Sequence, residues 1–238
     1  MGDLALEQYA DSASSSALNL SQSALKESVS DNEKGAFECS PQPVAPEEAR
    51  QQIAAIGADG QLFPAEKLKV HQDATQHLAI SIFLFLDGKM LLQRRANGKY
   101  HSGGLWANAC CSHPNWGETL EECAARRLRE ELGCEVPLRT HGYVDYYADV
   151  GGDLIENERA HIFSGELSDM GLDLHINQDE VQAVELFDPE QLRLRLDKHP
   201  QRFAAWFLEY MSRTDSPLQR ALSAGGFVWR ETPEPLEA

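Results

Sequence analysis

Apolar residues recur along this chain with two periods, and the switches between them mark the elements. Residues 78–86 form an apolar, β-rich run that ends at Asp87-Gly88, a dipeptide suited to a two-residue hairpin turn. Residues 89–94 follow at once as the partner strand. A short strand is expected at Gln52–Ile56, turning at Asp59-Gly60, with others at residues 106–111, 142–149, 159–167 and Val181–Phe187. Between them the period becomes helical. Leu120, Cys123, Ala124, Leu128 and Leu132 share one stripe, Thr119 and Glu122 read as a capping box, and Gly133 supplies the stop. Residues 188–196 and 200–211 read as further helices. Strands outnumber helices around one central helix, so the expected class is α/β (α+β), a mixed β-sheet in an α/β/α sandwich.

The ends of the chain follow different rules. Residues 1–50 are rich in Ser, Ala and acidic groups and carry too little apolar surface to offset their ordering entropy, so a disordered segment is expected there. A short helix around Ala24 is compatible with the pattern. The folded domain is expected over residues 51–215, and a tail that docks or frays over residues 216–238, where Phe227 and Trp229 stand out.

Strand periodicity also aligns chemistry. Residues two apart on a strand face the same way, so Cys111 and His113 share a face, as do Glu156 and Glu158. Each pair alone is what an ordinary packed strand also shows. Two such strands side by side would bring a thiol, an imidazole and two carboxylates into one cleft, a set able to hold a metal and move protons. On the central helix Arg127 and Glu131 lie one turn apart, an arrangement that at minimum forms an ion pair worth about 0.2–0.5 kcal/mol.

Charge narrows the partners. A formal charge of −17 over 238 residues speaks against nucleic acid, whose binding rests on Lys and Arg meeting phosphates. A local cationic pocket can still override that balance, and Lys67, Arg94, Arg95, Lys99 and Arg127 are its candidates, with Arg94 assigned to the solvated surface. The five cysteines are odd in number and show no Cys-x-x-Cys pair, which fits a reducing cytoplasm. The N-terminus lacks the basic and apolar regions of a signal peptide, and no apolar run approaches the roughly 20 residues that span a bilayer. A cytoplasmic protein away from membranes is expected; the sequence leaves its oligomeric state open, with a monomer favoured.

Glu118, Arg126, Glu130, Glu131 and Gly133 fall on five positions of the box that defines the Nudix superfamily, and the chain resembles that family. Ser112 stands where the box normally starts with Gly, and Arg127 where it normally has a metal-binding Glu. That replacement argues against ordinary Nudix diphosphate hydrolysis and resembles the type I isopentenyl diphosphate isomerases. Their Cys-x-His-Pro segment is matched by Cys111-Ser112-His113-Pro114, and their Glu-Asn-Glu by Glu156-Asn157-Glu158. The similarity runs from about Lys67 to Trp206.

The resemblance implies a Nudix-type sandwich and the conversion of isopentenyl to dimethylallyl diphosphate through a carbocation. It makes Cys111 the catalytic thiol and Glu158 the opposing acid/base, helped by Tyr146, with Trp206 facing the cation. A Mn2+ or Zn2+ ion is implied on His77, His113, Glu156 and Glu158, with His71 the remaining candidate; His71 and His77 are six apart where the family often has seven. A Mg2+ ion is implied on Glu131 and the Cys111 carbonyl. Lys67, Arg95, Lys99, Ser112 and Arg127 match positions at the diphosphate. The runner-up is a Nudix hydrolase of a nucleoside diphosphate derivative, and a non-catalytic binding protein of the same fold stands third.

Overall fold

A computed structural model of the chain describes residues 51–168, 174–213 and 216–229. The expected segment 1–50 and the short helix around Ala24 lie outside the described residues. At the centre is β3 (His77–Leu86), buried along its length. Its side chains alternate strictly: Ala79, Phe83 and Phe85 enter one core, whereas Ile80, Ile82, Leu84 and Leu86 enter the other. A strand covered on both faces has no need of polar alternation, which is why its sequence is one apolar run.

On the sheet path, β2 (Leu62–Glu66) pairs with β1 (Gln52–Ile56), β1 with β3, and β3 with β4 (Lys89–Arg95), all antiparallel. Asp87 and Gly88 both have positive φ, 49° and 72°, the conformation that a two-residue hairpin with native twist requires. On the other side β3 runs parallel to β8 (Leu154–Glu166), itself in a long hairpin with β7 (Arg139–Gly151). β7 extends the expected 142–149 at both ends and β8 starts five residues before the expected 159–167, so the chain turns only at Gly151, Gly152 and Asp153, all with positive φ. β9 (Val181–Phe187) pairs with β4.

Residues 106–111, expected as one strand, form two. β5 (Trp106–Asn108) pairs with β4, and β6 (Cys110–Ser112) pairs with β3. The chain changes partner at Ala109, and the buried Asn108 amide bridges the break by donating to the carbonyls of Ile82 and Cys110, both at 3.1 Å. Alternation along β6 places Cys110 in the core of Ile80 and Ile82 and Cys111 against that of Ala79 and Phe83.

The two sheet faces carry different helices. Against the Ile80 face lies α2 (Leu120–Leu132), which follows α1 (Lys67–Gln72) in the chain. Thr119 and Glu122 form the expected capping box, and Gly133 ends α2 at φ 64°. The opposite core takes Leu192 from α3 (Pro189–Lys198), and Trp206, Phe207, Tyr210 and Met211 from α4 (Ala205–Ser212). The single helix expected over residues 200–211 is therefore corrected. It is a 3-10 turn at Pro200–Arg202, then extended backbone at Phe203 and Ala204, then α4. Phe203 bridges to Trp106, and the Ala204 N–H donates to the Trp106 carbonyl, so the sheet edge holds this piece out of the helix.

The segment expected as a tail from residue 216 opens with α5 (Ser216–Ala224), whose Leu218, Ala221 and Leu222 are buried together with Phe227 and Trp229 in that core. The Trp229 indole N–H donates to the Met211 carbonyl, giving the buried ring its polar partner. Among the described residues no helix is long and apolar enough to cross a membrane.

Candidate active site

The cleft opens where α1, the N-terminal ends of β3 and β8, and the β6–α2 connection meet. The β3–β8 pairing sets His77 beside Glu158. Glu156, Glu158, Ala160 and Ile162 occupy one face of β8, so the period that buries Ala160 and Ile162 also buries the two carboxylates. α1 contributes His71, and β6 delivers Cys111 at its centre with His113 just beyond.

Three buried imidazoles gather around one carboxylate. His71, His77, His113 and Glu158 each offer a ligand atom, and these lie within 4.8 Å of one another. The backbone orients two of the rings. His71 Nδ1–H donates to the Lys67 carbonyl at 2.6 Å and His77 Nδ1–H to the Thr75 carbonyl at 2.8 Å, leaving each Nε2 with a lone pair and no hydrogen-bond partner among the described residues. His113 Nε2 lies 2.8 Å from Glu158 Oε1, and His77 Nε2 lies 3.6 Å from the same oxygen, too far for a hydrogen bond. Burial, reinforced by the neighbouring imidazoles, lowers His71 to about 3. Burial also lowers His113 to about 4 against the pull of Glu158. Both rings are neutral near pH 7, the form that binds a metal. Buried polar nitrogens left unpaired are costly unless something meets them, so the set fits a divalent ion.

Glu156 stands slightly apart, forming a second group with His71 and His101. The Tyr146 hydroxyl joins the two carboxylates, 3.0 Å from Glu156 Oε2 and 2.6 Å from Glu158 Oε2. Burial and then the adjacent Glu158 charge raise Glu156 well above the usual carboxylate range. Burial would raise Glu158 too, but the His113 N–H outweighs it and holds Glu158 well below that range. A protonated Glu156 can donate to the Tyr146 oxygen while Tyr146 donates to Glu158, a one-way proton chain.

Cys111 Sγ donates to Asn108 Oδ1 at 3.0 Å and lies 3.5 Å from Ser81 Oγ, which in turn is 2.8 Å from the Tyr210 hydroxyl. Burial pushes this thiol up to about 12, so it carries its proton at neutral pH. Cys110 turns the other way and donates to Glu131 Oε1 at 3.3 Å.

The cationic wall has its own order. Arg95 lies with its guanidinium carbon 5.1 Å from the ring centre of Trp206, and the His101 ring meets that indole in a T-shaped contact at 5.8 Å. Lys67 sits 5.4 Å over Tyr100. Lys99 Nζ meets Glu180 Oε2 at 2.9 Å. Arg127 is enclosed by carboxylates: Nε and Nη2 donate to Glu131 Oε1, Nη1 to Glu130 Oε2, and Nη2 is 3.1 Å from Glu180 Oε2. Glu131 also accepts from Gln93 at 3.0 Å. Arg94, assigned to the solvated surface, is half-buried and donates to the Gly104 carbonyl.

Lys67, Arg95, Lys99, Cys111, Ser112, His113, Arg127, Glu131, Glu156, Glu158 and Trp206 all line this one cleft. His71 and His77 stand behind it, fully buried, and Tyr146 is tied to its two carboxylates. Sequence reasoning missed Asn108, Ser81, His101 and Glu180. Period two through residues 106–111 would put Asn108 on the face opposite Cys111, so only the break at Ala109 brings them together, and nothing in the loop around His101 or in the turn before β9 announces their proximity.

A model of the NUDIX domain matches residues 75–207. The isopentenyl-diphosphate Delta-isomerase of Jannaschia sp. (strain CCS1) is 48% identical over 156 residues, covering 65% of this chain and 88% of that protein. The protein of the same name from Cereibacter sphaeroides (strain ATCC 17025 / ATH 2.4.3) is 44% identical over 155 residues, covering 65% and 87%. That of Rhodobacter capsulatus is 42% identical over 164 residues, covering 68% and 93%. Among solved structures, DR0079 from Deinococcus radiodurans superposes with a TM-score of 0.56 over 72% of this chain and 99% of its own, at 14% identity, a likeness of fold alone.

Proposed function

Because the chain belongs to the Nudix family and, within it, to the isopentenyl-diphosphate Delta-isomerases, we propose that this cleft carries out the conversion of isopentenyl diphosphate to dimethylallyl diphosphate. The protein is an isomerase that transposes a carbon–carbon double bond in a small-molecule substrate. A proton adds to the terminal alkene carbon, leaving a tertiary cation on its neighbour. Loss of a proton from the carbon nearer the diphosphate then forms the new double bond, so one proton enters and one leaves.

The chemistry needs a proton donor, an acceptor, a dry π surface and a grip on the diphosphate. Cys111 and the Tyr146–Glu158 pair are the donor and acceptor, each such group typically contributing about 10²–10⁴-fold. The Trp206 indole is the π surface, worth about 2 kcal/mol or more to a desolvated cation. Lys67, Arg95, Lys99 and Arg127, with Ser112, face the diphosphate. The observation that carries the reading is the buried, protonated Cys111 thiol in the same cleft as a carboxylate held ionised by the His113 N–H.

His71, His77, His113, Glu156 and Glu158 would hold a Mn2+ or Zn2+ ion, which when bound supplies a fixed positive charge beside Glu158. Glu131 and the Cys111 carbonyl are the groups that would meet a Mg2+ ion arriving with the diphosphate. Glu131 already accepts from Gln93, Cys110 and Arg127, so it would share its oxygens. The reaction is tested by incubating the metal-loaded protein with isopentenyl diphosphate and following the product by proton NMR, beside a phosphate-release assay on nucleoside diphosphate derivatives. Dimethylallyl diphosphate without phosphate release is expected; phosphate release alone would reverse the assignment toward a hydrolase.

A further inference from the structure

One carboxylate oxygen sits between two of the cations assigned to the diphosphate. Glu180 Oε2 is 2.9 Å from Lys99 Nζ and 3.1 Å from Arg127 Nη2. It faces the same cleft as Ser112, His113 and Glu131. Its mount is firm: the Glu180 carbonyl accepts from the Ala96 N–H at 2.9 Å, and its own N–H donates to the Asn177 carbonyl at 3.0 Å. Ala96 in turn accepts from the Lys99 N–H, so the backbone that fixes Glu180 belongs to the loop that carries Lys99.

Charge at this end of the cleft is therefore filled from within. Lys99 and Arg127 meet the carboxylates of Glu130, Glu131 and Glu180 within ion-pair distance, and Glu130 is shared with Arg126. An anion arriving alone must compete with Glu180 for both cations and gains little. A diphosphate arriving with its own divalent cation brings the charge that compensates for the displaced or retained carboxylate. We propose that Glu180 is a specificity-determining residue that screens the anion subsite, rejecting small anions that arrive without a metal and admitting the metal-complexed diphosphate. The inference rests on the assignment of Lys99 and Arg127 to the diphosphate.

The test is a calorimetric titration of the full-length Glu180→Gln protein and its parent with inorganic phosphate in metal-free buffer, and with magnesium pyrophosphate. Glu180→Gln keeps the shape and removes the charge. It is expected to bind phosphate at least tenfold more tightly than the parent, with a smaller gain for magnesium pyrophosphate. Adding Lys99→Met should reduce the gain, leaving only the share that comes from Arg127. Phosphate binding that is unchanged or weaker in Glu180→Gln would overturn the proposal, as would a gain undiminished by Lys99→Met. A Glu180→Ala protein, with melting temperature measured for both variants, supplies the same comparison if the glutamine variant folds poorly. Phosphate binding is read without turnover, so failure of the isomerase reading and failure of this screen are separable.

Discussion

At the α1–β3–β8 end of the cleft, His71 and His77 turn buried Nε2 lone pairs inward with no hydrogen-bond partner among the described residues. At the α2 end, every guanidinium nitrogen of Arg127 already meets a carboxylate. Both ends are polar and sheltered, yet one offers unpartnered nitrogen lone pairs and the other holds a guanidinium among carboxylates. In a Nudix box the residue at Arg127 would normally be a metal-binding carboxylate, and here a guanidinium occupies the centre of Glu130, Glu131 and Glu180. The group of side chains that could hold a metal ion lies instead at the histidines, beside Glu158 and Tyr146.

The largest effect should come at the junction of the two ends. Cys111→Ala is expected to lower turnover by about 10²–10⁴-fold or more. Cys110→Ala, which removes a thiol that faces Glu131, should keep most activity and lose some thermal stability. Equal losses in both would erase the distinction between the two faces of β6. Next in size, His113→Ala and Glu156→Gln should weaken retention of a tightly held divalent ion by more than the roughly 10–100-fold typical of groups that only orient ligands. Elemental analysis after dialysis against a chelator measures this, and parent-like metal content in both variants would show that the histidine end is not the metal end.

Arg127→Glu sharpens the contrast from the other side. It would place a fourth carboxylate among Glu130, Glu131 and Glu180, so a marked rise in KM for isopentenyl diphosphate is expected, with no gain of phosphate release. Gained hydrolysis would mean that the guanidinium merely blocks an intact hydrolase site.

The smallest effect is on pH dependence. His71 and His113 have folded pKa values lowered to about 3 and about 4, below their ordinary 6.5. Between pH 6.5 and those values the unfolded chain binds more protons than the folded one, so stability falls as pH falls and is fully present above 6.5. In metal-free protein the melting temperature should drop between pH 7 and pH 5, at about 2–4 °C per kcal/mol lost. His71→Asn should flatten that slope; an unchanged slope would contradict the neutral, desolvated His71.

Much of this was legible in the sequence because it depends on local period. The β3 run, the Asp87-Gly88 turn, the capped α2 and the shared face of Glu156 and Glu158 each follow from spacing and turn chemistry. What escaped depends on tertiary contact. The break at Ala109 arises because β5 and β6 choose different partners, and the unwinding at Phe203 because Trp106 holds its backbone. α5 was hidden because its nine residues are short and follow a sequence that reads as a tail. In the site, pairs two or four apart were found, whereas Asn108 acting on Cys111 through the strand break, and Glu180 acting on Lys99 across 81 residues, carry no periodic signal.

The central claim is that Cys111 and the Tyr146–Glu158 pair pass one proton in and one out in the same cleft. Turnover of isopentenyl diphosphate in heavy water tests it most directly, with deuterium in the product read by NMR. The parent protein should place solvent deuterium in a methyl group of dimethylallyl diphosphate, and Cys111→Ala should place almost none. Conversion without solvent deuterium, or full incorporation by Cys111→Ala, would contradict the account.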